Sequence, residues 1–521
     1  MPNVHVIITM AGHSTRFKAA GYIGPKALLS VGESPMIEHV VNMFNTTNDF
    51  FHIVVNEDQI KECPGLVNYL NELAPRLDVI IIPSHDKGPV YSALQIEGIP
   101  PNEEVILSYC DFTVEWNYGL FLRSTHGCDG CVVSFRGFHP ASFGETYYAY
   151  MRVDKNNRML ELREKKPFTD ERHNEHASTG IYYFRSWSIF SEYAERWMTK
   201  ENKILPEVYG SLLYNDMVND GLDVCIYEVE KFICLGTPED LEQYLFWYKY
   251  YYSDAQITND VSSCSPSTGL IPMAGTGSRF RKFGYRLAKP LITVNGMPMV
   301  IRTVQSLPHQ DKWVFLVRQE DLKRHNLETT LRGTIEGACV IGVIGNTSGQ
   351  AATCMLAEDL LQDGAELLIS SCDYEHRFDY QKWQQLVNDP SIDGVIWTYR
   401  TRGLPLKNPQ AFAYCEVAED GFQITRIVEK STISDTPHLD PLVVGTFWYR
   451  RAADFKAGAN NLINNDIRIN GEHYVGTSIN HLIDKSLKFV IFDIEQWISF
   501  GDPFELQVAE YWDEYFLRLS A

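Results

Sequence analysis

The chain has 521 residues, of which 45% are hydrophobic and 22% charged, as is typical of a globular protein. Its net charge of −21 argues against a nucleic-acid partner, because binding a polyanion requires clustered lysine and arginine. No apolar run reaches membrane-spanning length, and the eleven cysteines come without a secretory signal. We therefore expect a cytoplasmic protein with reduced thiols and no membrane partner.

The predicted elements begin with a short buried strand at residues 4–8 that leads into a glycine-containing loop, and the same unit recurs from residue 269. The first copy reads Ile8-Thr-Met-Ala-Gly-His-Ser-Thr-Arg16-Phe17, and the second reads Ile271-Pro-Met-Ala-Gly-Thr-Gly-Ser-Arg279-Phe280. The two arginines are 263 residues apart, and so are Lys26 and Lys289 behind them. A repeat of this length indicates a duplicated domain, so we predict domains at 1–252 and 268–521 joined by a polar linker at 253–267.

Apolar strand-like runs then alternate with helix-length segments in each copy. The runs fall at 51–55, 79–82, 105–107 and 132–135 in the first copy, and at 313–317, 339–343, 366–369 and 395–399 in the second. This alternation favours parallel strands with helical crossovers. We therefore predict two α/β domains, each with a sheet covered by helices on both faces.

The glycine loop has the composition of a phosphate site. Small residues at Gly12 and Gly275 let backbone N–H groups approach a phosphate, and the arginine that follows offers a planar fork of donors. The pattern fits neither the phosphate loop that ends in Gly-Lys-Ser/Thr nor the dinucleotide fingerprint. A structural turn is the alternative, but the repetition of arginine and lysine in register favours a ligand site.

A single acid follows a central strand in each copy. Asp111 stands in Ser-Tyr-Cys-Asp-Phe and Asp373 in Ser-Ser-Cys-Asp-Tyr, 262 residues apart. Open α/β sheets bind ligands at the carboxyl ends of their strands, so these acids are well placed to hold Mg²⁺ on a phosphate. The alternative is an aspartate that caps the following helix.

Glu164-Lys165 and Glu429-Lys430 are 265 residues apart, and each lysine could hold the phosphate of a second substrate. The alternative is a solvated surface pair.

A loop of small residues opens a predicted helix at Lys87-Gly88-Pro89 and again at Ser348-Gly349-Gln350. Such a loop presents N–H groups to a base or phosphate, or is only a helix start. We expect Gly88, Gly349 and Gln350 to contact the ligand.

Taken together, these motifs resemble those of the sugar-phosphate nucleotidylyltransferases, nearly over the whole chain and once per half. The closing motif of that family, Gly-Thr-Pro-Glu-Asp, appears at Gly236–Asp240 and in altered form at Gly501–Glu505. Gly137-Phe-His-Pro-Ala-Ser-Phe-Gly144 is similar to the branch found in capsule and surface-glycan gene clusters.

The resemblance implies two similar Rossmann-like, GT-A-like domains, each with a mixed, mainly parallel sheet flanked by helices. It also implies that an NTP, with CTP or UTP favoured, reacts with a phosphorylated sugar or small alcohol to give an NDP-linked product and pyrophosphate. An oxygen of the acceptor phosphate would attack the α-phosphorus in line, so the barrier is largely one of charge and position.

Carried over to this chain, the family's functional residues take the following places. The nucleotide would be contacted by Ala11, Gly12, Gly88, Ala274, Gly275, Gly277, Gly349 and Gln350. Arg16, Lys26, Arg279 and Lys289 would neutralise the leaving pyrophosphate, Asp111 and Asp373 would hold Mg²⁺, and Lys165 and Lys430 would bind the acceptor phosphate.

Two departures from the family pattern stand out. The first copy has Ser14 where the second glycine belongs, so we expect its loop to lie farther from the phosphates. Many family members also carry a second metal aspartate two residues before the last glycine, where this chain has Cys234 and Ser499. Glu230 and Glu495 are the acids that we predict as substitutes; the alternative is a solvated strand edge.

Several functions stay open. Both halves could be active, one half could be catalytic and the other regulatory or ligand-sensing, or neither could be catalytic. A glycosyltransferase would need an Asp-x-Asp metal pair, which neither Asp111-Phe-Thr nor Asp373-Tyr-Glu supplies. The duplication is compatible with a monomer or a homodimer.

Overall fold

A computed structural model describes residues 4–200, 207–253, 266–401, 406 and 408–519. The chain divides between Tyr248 and Lys249 into two compact units. The predicted linker at 253–267 falls largely on residues 254–265, which lie outside the described ranges. Its bounds therefore stay a prediction.

The first unit contains thirteen strands and nine α-helices within the described residues. The strands are β1 Val4–Thr9, β2 Ser30–Val31, β3 Ser34–Pro35, β4 Phe50–Asn56, β5 Leu77–Ile82, β6 Glu104–Tyr109, β7 Phe112–Glu115, β8 Gly130–Phe135, β9 Ala149–Val153, β10 Met159–Glu164, β11 His176–Phe184, β12 Val224–Glu228 and β13 Lys231–Cys234. The helices are α1 Thr15–Ala19, α2 Met36–Val41, α3 Glu57–Glu62, α4 Leu66–Asn71, α5 Pro89–Ala93, α6 Tyr118–Ser124, α7 Trp187–Thr199, α8 Leu213–Asn219 and α9 Pro238–Tyr252, whose last four residues belong to the second unit.

The second unit repeats this order of elements. Its strands are β14 Ser267–Met273, β15 Thr293–Val294, β16 Met297–Pro298, β17 Lys312–Arg318, β18 Ala338–Val343, β19 Glu366–Ile369, β20 Tyr374–Arg377, β21 Gly394–Tyr399, β22 Ala413–Val417, β23 Ile424–Glu429, β24 Leu442–Tyr449, β25 Phe489–Asp493 and β26 Gln496–Ser499. Its helices are α10 Ser278–Lys282, α11 Met299–Gln305, α12 Gln319–Arg324, α13 Leu327–Thr334, α14 Gln350–Met355, α15 Tyr380–Asn388, α16 Ala452–Asn464, α17 Val475–Asp484 and α18 Pro503–Leu519.

Each unit is built on a nine-stranded mixed sheet. The first sheet has the order β10-β9-β11-β6-β1-β4-β5, with β8 beside β11 and β12 beside β8. The second has the order β18-β17-β14-β19-β24-β21-β25, with β22 beside β24 and β23 beside β22. The central strands β6, β1, β4 and β5 are parallel, and so are β19, β14, β17 and β18. The predicted fold, two α/β domains with mixed sheets flanked by helices, is confirmed.

The strands β1, β4 and β6 are mostly apolar because they are buried on both faces. In β1, Val6 and Ile8 belong to one hydrophobic core, whereas Ile7 between them belongs to the core on the opposite face. Side chains that alternate in direction along a strand produce this division. The largely apolar run at residues 4–8 therefore indicates a sheet that is covered on both faces.

One detail of the topology differs from the simple alternation expected from the sequence. β8 does not pair directly with β6; β11 lies between them and pairs antiparallel with both strands. β24 separates β19 from β21 in the same way. Pairing between strands so distant in the chain leaves no local signal in the sequence.

Within the described ranges, no helix is long and apolar enough to cross a membrane.

Candidate functional site

The glycine loop leaves the carboxyl end of the central strand in each unit. Gly12 and Gly275 have no positive φ, and a Cβ added at either position would meet no heavy atom within 4 Å. Neither conformation nor packing therefore requires glycine at these positions. Both residues line a pocket, where a missing side chain lets a ligand approach the backbone.

The serine that replaces the second glycine does not change the backbone of the loop. Ser14 has φ 55° and ψ 32°, and Gly277 has φ 61° and ψ 29°, so both lie in the left-handed region. A non-glycine residue in this region costs about 1 kcal/mol. The Ser14 hydroxyl accepts a hydrogen bond from the backbone N–H of Lys26 at 3.0 Å, which helps to offset that cost.

A lysine–aspartate pair stands beside the loop in both units. Thr9 at the end of β1 pairs with Tyr109 at the end of β6, so the loop and Asp111 leave the same edge of the sheet. Lys26 Nζ lies 2.6 Å from Asp111 Oδ2, and Lys289 Nζ lies 2.5 Å from Asp373 Oδ2.

These lysines stay charged. Burial by itself lowers the pKa of Lys26 and of Lys289, but the adjacent aspartate more than offsets this effect. The pKa of each lysine therefore lies above its ordinary value of 10.5.

The arginines lie at the mouth of the site. Arg16 is in the first turn of α1 and is exposed, and Arg279 occupies the equivalent place in α10 with 68% of its side chain exposed. The guanidinium of Arg279 lies 3.7 Å from Asp502. An exposed guanidinium at this position is free to turn towards an anion that enters the pocket.

Each loop opens onto a pocket of similar size. The pocket in the first unit measures about 350 Å³ and that in the second about 340 Å³. The predicted residues that line the first are Ala11, Gly12, Arg16, Lys26, Gly88 and Asp111. Those that line the second are Gly275, Gly277, Arg279, Lys289 and Asp373. Ala274, Gly349 and Gln350 are not among the described residues that line it.

A second cavity of about 190 Å³ adjoins the pocket in the first unit, and it brings the predicted acceptor lysine to the site. Lys165, Glu164, Arg16 and Asp111 all line it. Lys165 and Lys430 have φ values of 55° and 56°, so both lysines are held in the left-handed region. Strain of this kind concentrates at functional sites.

The structure adds a tyrosine and a glutamate that the sequence analysis missed. Lys165 Nζ donates to the Tyr209 hydroxyl at 3.3 Å and lies 4.8 Å from the centre of its ring, while the Tyr209 hydroxyl donates to Glu207 Oε2 at 2.5 Å. In the second unit Lys430 Nζ lies 5.4 Å from the ring centre of Tyr474.

In the second unit, burial and the carboxylate of Glu472 raise the pKa of Tyr474. Lys430 Nζ there donates to the carbonyl of Ala411. The pattern Glu-x-Tyr recurs at an offset of 265, the same offset as the acceptor lysines. That shared offset is the signal that could have identified these residues.

The expected nucleotide loops are packed against the Glu-x-Tyr segments. Gly88 has φ 89°, and a Cβ there would lie 2.7 Å from the backbone nitrogen of Val208. Gly349 has φ 138°, and its Cβ would lie 2.4 Å from the nitrogen of His473. Both glycines are thus required by conformation and packing, whether or not they also contact a ligand.

The glutamates beside the acceptor lysines differ between the units. Ser211 donates to Glu164 Oε2, and burial raises the pKa of Glu164. The equivalent of Ser211 is Gly476, where a Cβ would lie only 2.5 Å from Glu429 Oε1. Burial raises the pKa of Glu429 to about 7, with only Lys430 opposing the shift.

The acids predicted as second metal ligands are not brought to the site. In the ribbon of β7 and β13, Cys234 lies opposite Phe112, next to Asp111, whereas the N–H of Glu230 bonds to Glu115. Four residues of strand separate those two levels by roughly 13 Å.

The second unit shows the same separation. The N–H of Glu495 bonds to the carbonyl of Arg377, four residues beyond Asp373, and Glu495 is exposed. Glu495 also lies 3.4 Å from Lys249 Nζ.

Other acids lie next to the residues that replace the family's second aspartate. Cys234 Sγ donates to Asp240 Oδ2 at 3.2 Å, and Ser499 Oγ donates to Glu505 Oε2 at 2.7 Å. Among the described residues, no group of three or more His, Cys, Asp or Glu side chains is arranged to hold a metal ion.

The fold and the repeated pocket define two nucleotidyltransferase domains in tandem, and comparison with known families agrees. The model of the MobA-like NTP transferase domain matches residues 6–173, and the Nucleotidyl transferase model matches residues 268–461. Together the matches span more than half of the chain. The chain belongs to the NTP transferases and is an enzyme of the nucleotidyltransferase class.

Solved structures with similarity to the chain cover about one half of it. A nucleoside-diphosphate-sugar pyrophosphorylase from Vibrio cholerae RC9 has 20% identity and a TM-score of 0.40, covering 46% of this chain and 99% of its own. A putative glucose-1-phosphate thymidylyltransferase from Bacillus anthracis has 17% identity and a TM-score of 0.38, covering 47% and 94%. The inositol-1-phosphate CTP transferase from T. maritima has 13% identity and a TM-score of 0.37, covering 49% and 98%. No curated protein matches the chain.

Proposed function

We propose that both halves condense an NTP with a phosphorylated sugar or small alcohol and release pyrophosphate. The observation that carries the proposal is the repetition of one charged arrangement. Each unit has a glycine loop, an arginine at its mouth and a lysine within 2.6 Å of an aspartate, all around a pocket of about 350 or 340 Å³.

The charged side chains suit the repulsion between two anionic substrates. In the first half, Arg16 and Lys26 bind the β- and γ-phosphates of the nucleotide and neutralise the pyrophosphate as it leaves. Lys165 holds the acceptor phosphate so that one of its oxygens attacks the α-phosphorus in line. A phosphomonoester is already an anion at neutral pH, so no general base is needed.

Mg²⁺ is the metal that this reaction class implies, and Asp111 and Asp373 are the residues that would hold it. Both offer carboxylate oxygens, the ligands that Mg²⁺ prefers, and each already faces a cation, the ammonium of Lys26 or Lys289. When bound, the ion supplies positive charge to the α-phosphate of the nucleotide.

The finer assignments rest on the sequence resemblance. CTP or UTP is the favoured nucleotide, and a cytoplasmic role in making precursors of a surface glycan is the favoured context. The chain would act as a monomer or a homodimer.

The second candidate is one catalytic half with a regulatory or ligand-sensing half. The difference between the acceptor lysines favours it, since Lys165 donates to Tyr209 but Lys430 donates to a backbone carbonyl. The equal backbone angles of Ser14 and Gly277 favour two active halves instead.

A pyrophosphate-release assay tests the proposal. The common NTPs are screened against phosphorylated sugars, polyols and amino alcohols with the full chain and Mg²⁺. We expect turnover with at least one pair of substrates, most readily with CTP or UTP. Nucleotide binding without pyrophosphate release for every acceptor would overturn it in favour of a sensing protein.

A further inference from the structure

Each Glu-x-Tyr segment connects the loop expected to contact the nucleotide with the lysine expected to bind the acceptor phosphate. In the first unit, the N–H of Val208 donates to the carbonyl of Lys87 at 3.0 Å, and the N–H of Val90 donates to the carbonyl of Val208 at 3.2 Å. This short bridge fixes the segment to the loop expected to contact the nucleotide.

The same bridge exists in the second unit. The N–H of His473 donates to the carbonyl of Ser348 at 2.7 Å, and the N–H of Ala351 donates to the carbonyl of His473 at 3.0 Å. Gly88 and Gly349 allow the close approach, since a Cβ at either position would overlap the backbone opposite. The loops of the two units have different residues, yet each unit forms the same pair of backbone hydrogen bonds.

The residue that follows the bridge holds the acceptor lysine. Tyr209 comes directly after Val208, accepts a hydrogen bond from Lys165 and presents its ring to the ammonium. Glu207, directly before Val208, accepts a hydrogen bond from the Tyr209 hydroxyl and so fixes the ring. In the second unit the ring of Tyr474 faces Lys430, and Glu472 again stands two residues before the tyrosine.

We propose that the Glu-x-Tyr segment couples the nucleotide loop to the acceptor lysine, with Tyr209 and Tyr474 as positioning residues. The inference rests on the proposed function, because it takes Lys165 and Lys430 as ligands of the acceptor phosphate. A nucleotide that shifts the loop also shifts the tyrosine, and this changes where the ammonium stands. By linkage, occupation of either substrate site then alters affinity at the other.

Site-resolved acetylation of the lysines by acetic anhydride tests the inference on the full chain, with peptide mass spectrometry as the readout. Each sample contains both lysines, so the ratio of Lys165 to Lys430 labelling carries an internal reference. We expect Tyr209→Phe to raise the labelling of Lys165 about two- to tenfold, the range of one hydrogen bond, and to leave Lys430 unchanged. Tyr474→Leu, which removes the ring that faces Lys430, should change Lys430 alone.

The matched control is Tyr147→Phe, which removes a hydroxyl from the wall of the same cavity. It should leave the ratio unchanged, and thermal unfolding of every variant checks that the fold is intact. An unchanged ratio in both Tyr209→Phe and Tyr474→Leu would overturn the positioning role.

The coupling is tested by adding saturating CTP or UTP with Mg²⁺. We expect nucleotide to change Lys165 labelling in the wild type and to have a smaller effect in Tyr209→Phe. Nucleotide that binds, as measured by calorimetry, but leaves the labelling of both lysines unchanged would overturn the coupling and spare the proposed function. Failure of every NTP to bind would overturn the proposed function, and the coupling with it, while the tyrosine effect in free protein would stand.

Discussion

Individual glycines in this chain are required for different reasons, which makes them informative. Gly12 and Gly275 have no positive φ and no close neighbour, so we propose that the missing side chain leaves room for a ligand. The sequence showed that glycine recurs here. It could not distinguish a glycine that leaves room for a ligand from one that the backbone conformation and packing of the protein require. Gly88 and Gly349 are required by backbone conformation and packing.

Gly12→Ala and Gly275→Ala are therefore expected to weaken nucleotide binding without lowering stability. The added methyl group projects into the pocket. We therefore expect the affinity for the NTP to fall at least tenfold, which corresponds to a loss of about 1.4 kcal/mol of binding free energy. Calorimetry with CTP or UTP measures the affinity. Gly333→Ala in α13 is the matched control, because its Cβ would also meet nothing, yet Gly333 lines neither nucleotide pocket. Equal affinities for all variants would contradict the ligand role.

Glu429 predicts a pH dependence of stability in the second unit. Its pKa is raised to about 7 from 4.5, so the folded state holds the proton more tightly than the unfolded state. Stability should consequently fall as the pH rises from about 4.5 to about 7, by roughly 2–3 kcal/mol.

Glu429→Gln removes this dependence, so its gain in stability over the wild type should be larger at pH 8 than at pH 5. Thermal unfolding at the two values measures the difference. Glu164→Gln is the control. Ser211 donates a hydrogen bond to the Glu164 carboxylate and favours its charged form, so the stability change in this variant should depend less on pH. A gain for Glu429→Gln that is independent of pH would contradict the assignment.

At the level of elements, the sequence predicted the parallel centre of each sheet well. Continuous apolar runs mark β1, β4 and β6 because these strands are buried on both faces. It did not place β11 between β6 and β8, since that pairing is set by packing between distant segments. It missed Tyr209 and Tyr474 because a Glu-x-Tyr pattern carries no chemistry until the fold brings it to a lysine.

The bridge between the nucleotide loop and the Glu-x-Tyr segment should be sensitive to a single methyl group. Gly88→Ala and Gly349→Ala would each place a Cβ within 2.7 Å of backbone atoms at a positive φ. We expect each to destabilise its own unit by about 1–3 kcal/mol. Chemical denaturation measures this, with Gly12→Ala as the control that leaves stability unchanged. Unchanged stability in both bridge variants would show that the segment is not held by the loop.

At the scale of the whole molecule, the duplication left the charged residues in place and changed their surroundings. The lysine–aspartate pair and the loop conformation are shared by the two units, whereas Ser211 in the first corresponds to Gly476 in the second, beside the proposed acceptor lysine. Two enzymes that use similar nucleotides but different acceptors would need this combination, a shared nucleotide site and different residues around the acceptor phosphate. The net charge of −21 argues against a nucleic-acid partner but could not have indicated this division.

The most direct test of two active halves is pyrophosphate release by Asp111→Asn and Asp373→Asn, assayed singly and together, with Glu230→Gln as a control acid outside the pocket. We predict that each single variant loses the activity of its own half by about 100-fold, that the double variant loses total turnover by about 100-fold, and that Glu230→Gln matches the wild type. Full activity for every substrate pair in Asp111→Asn would contradict it and leave the second half as the only enzyme.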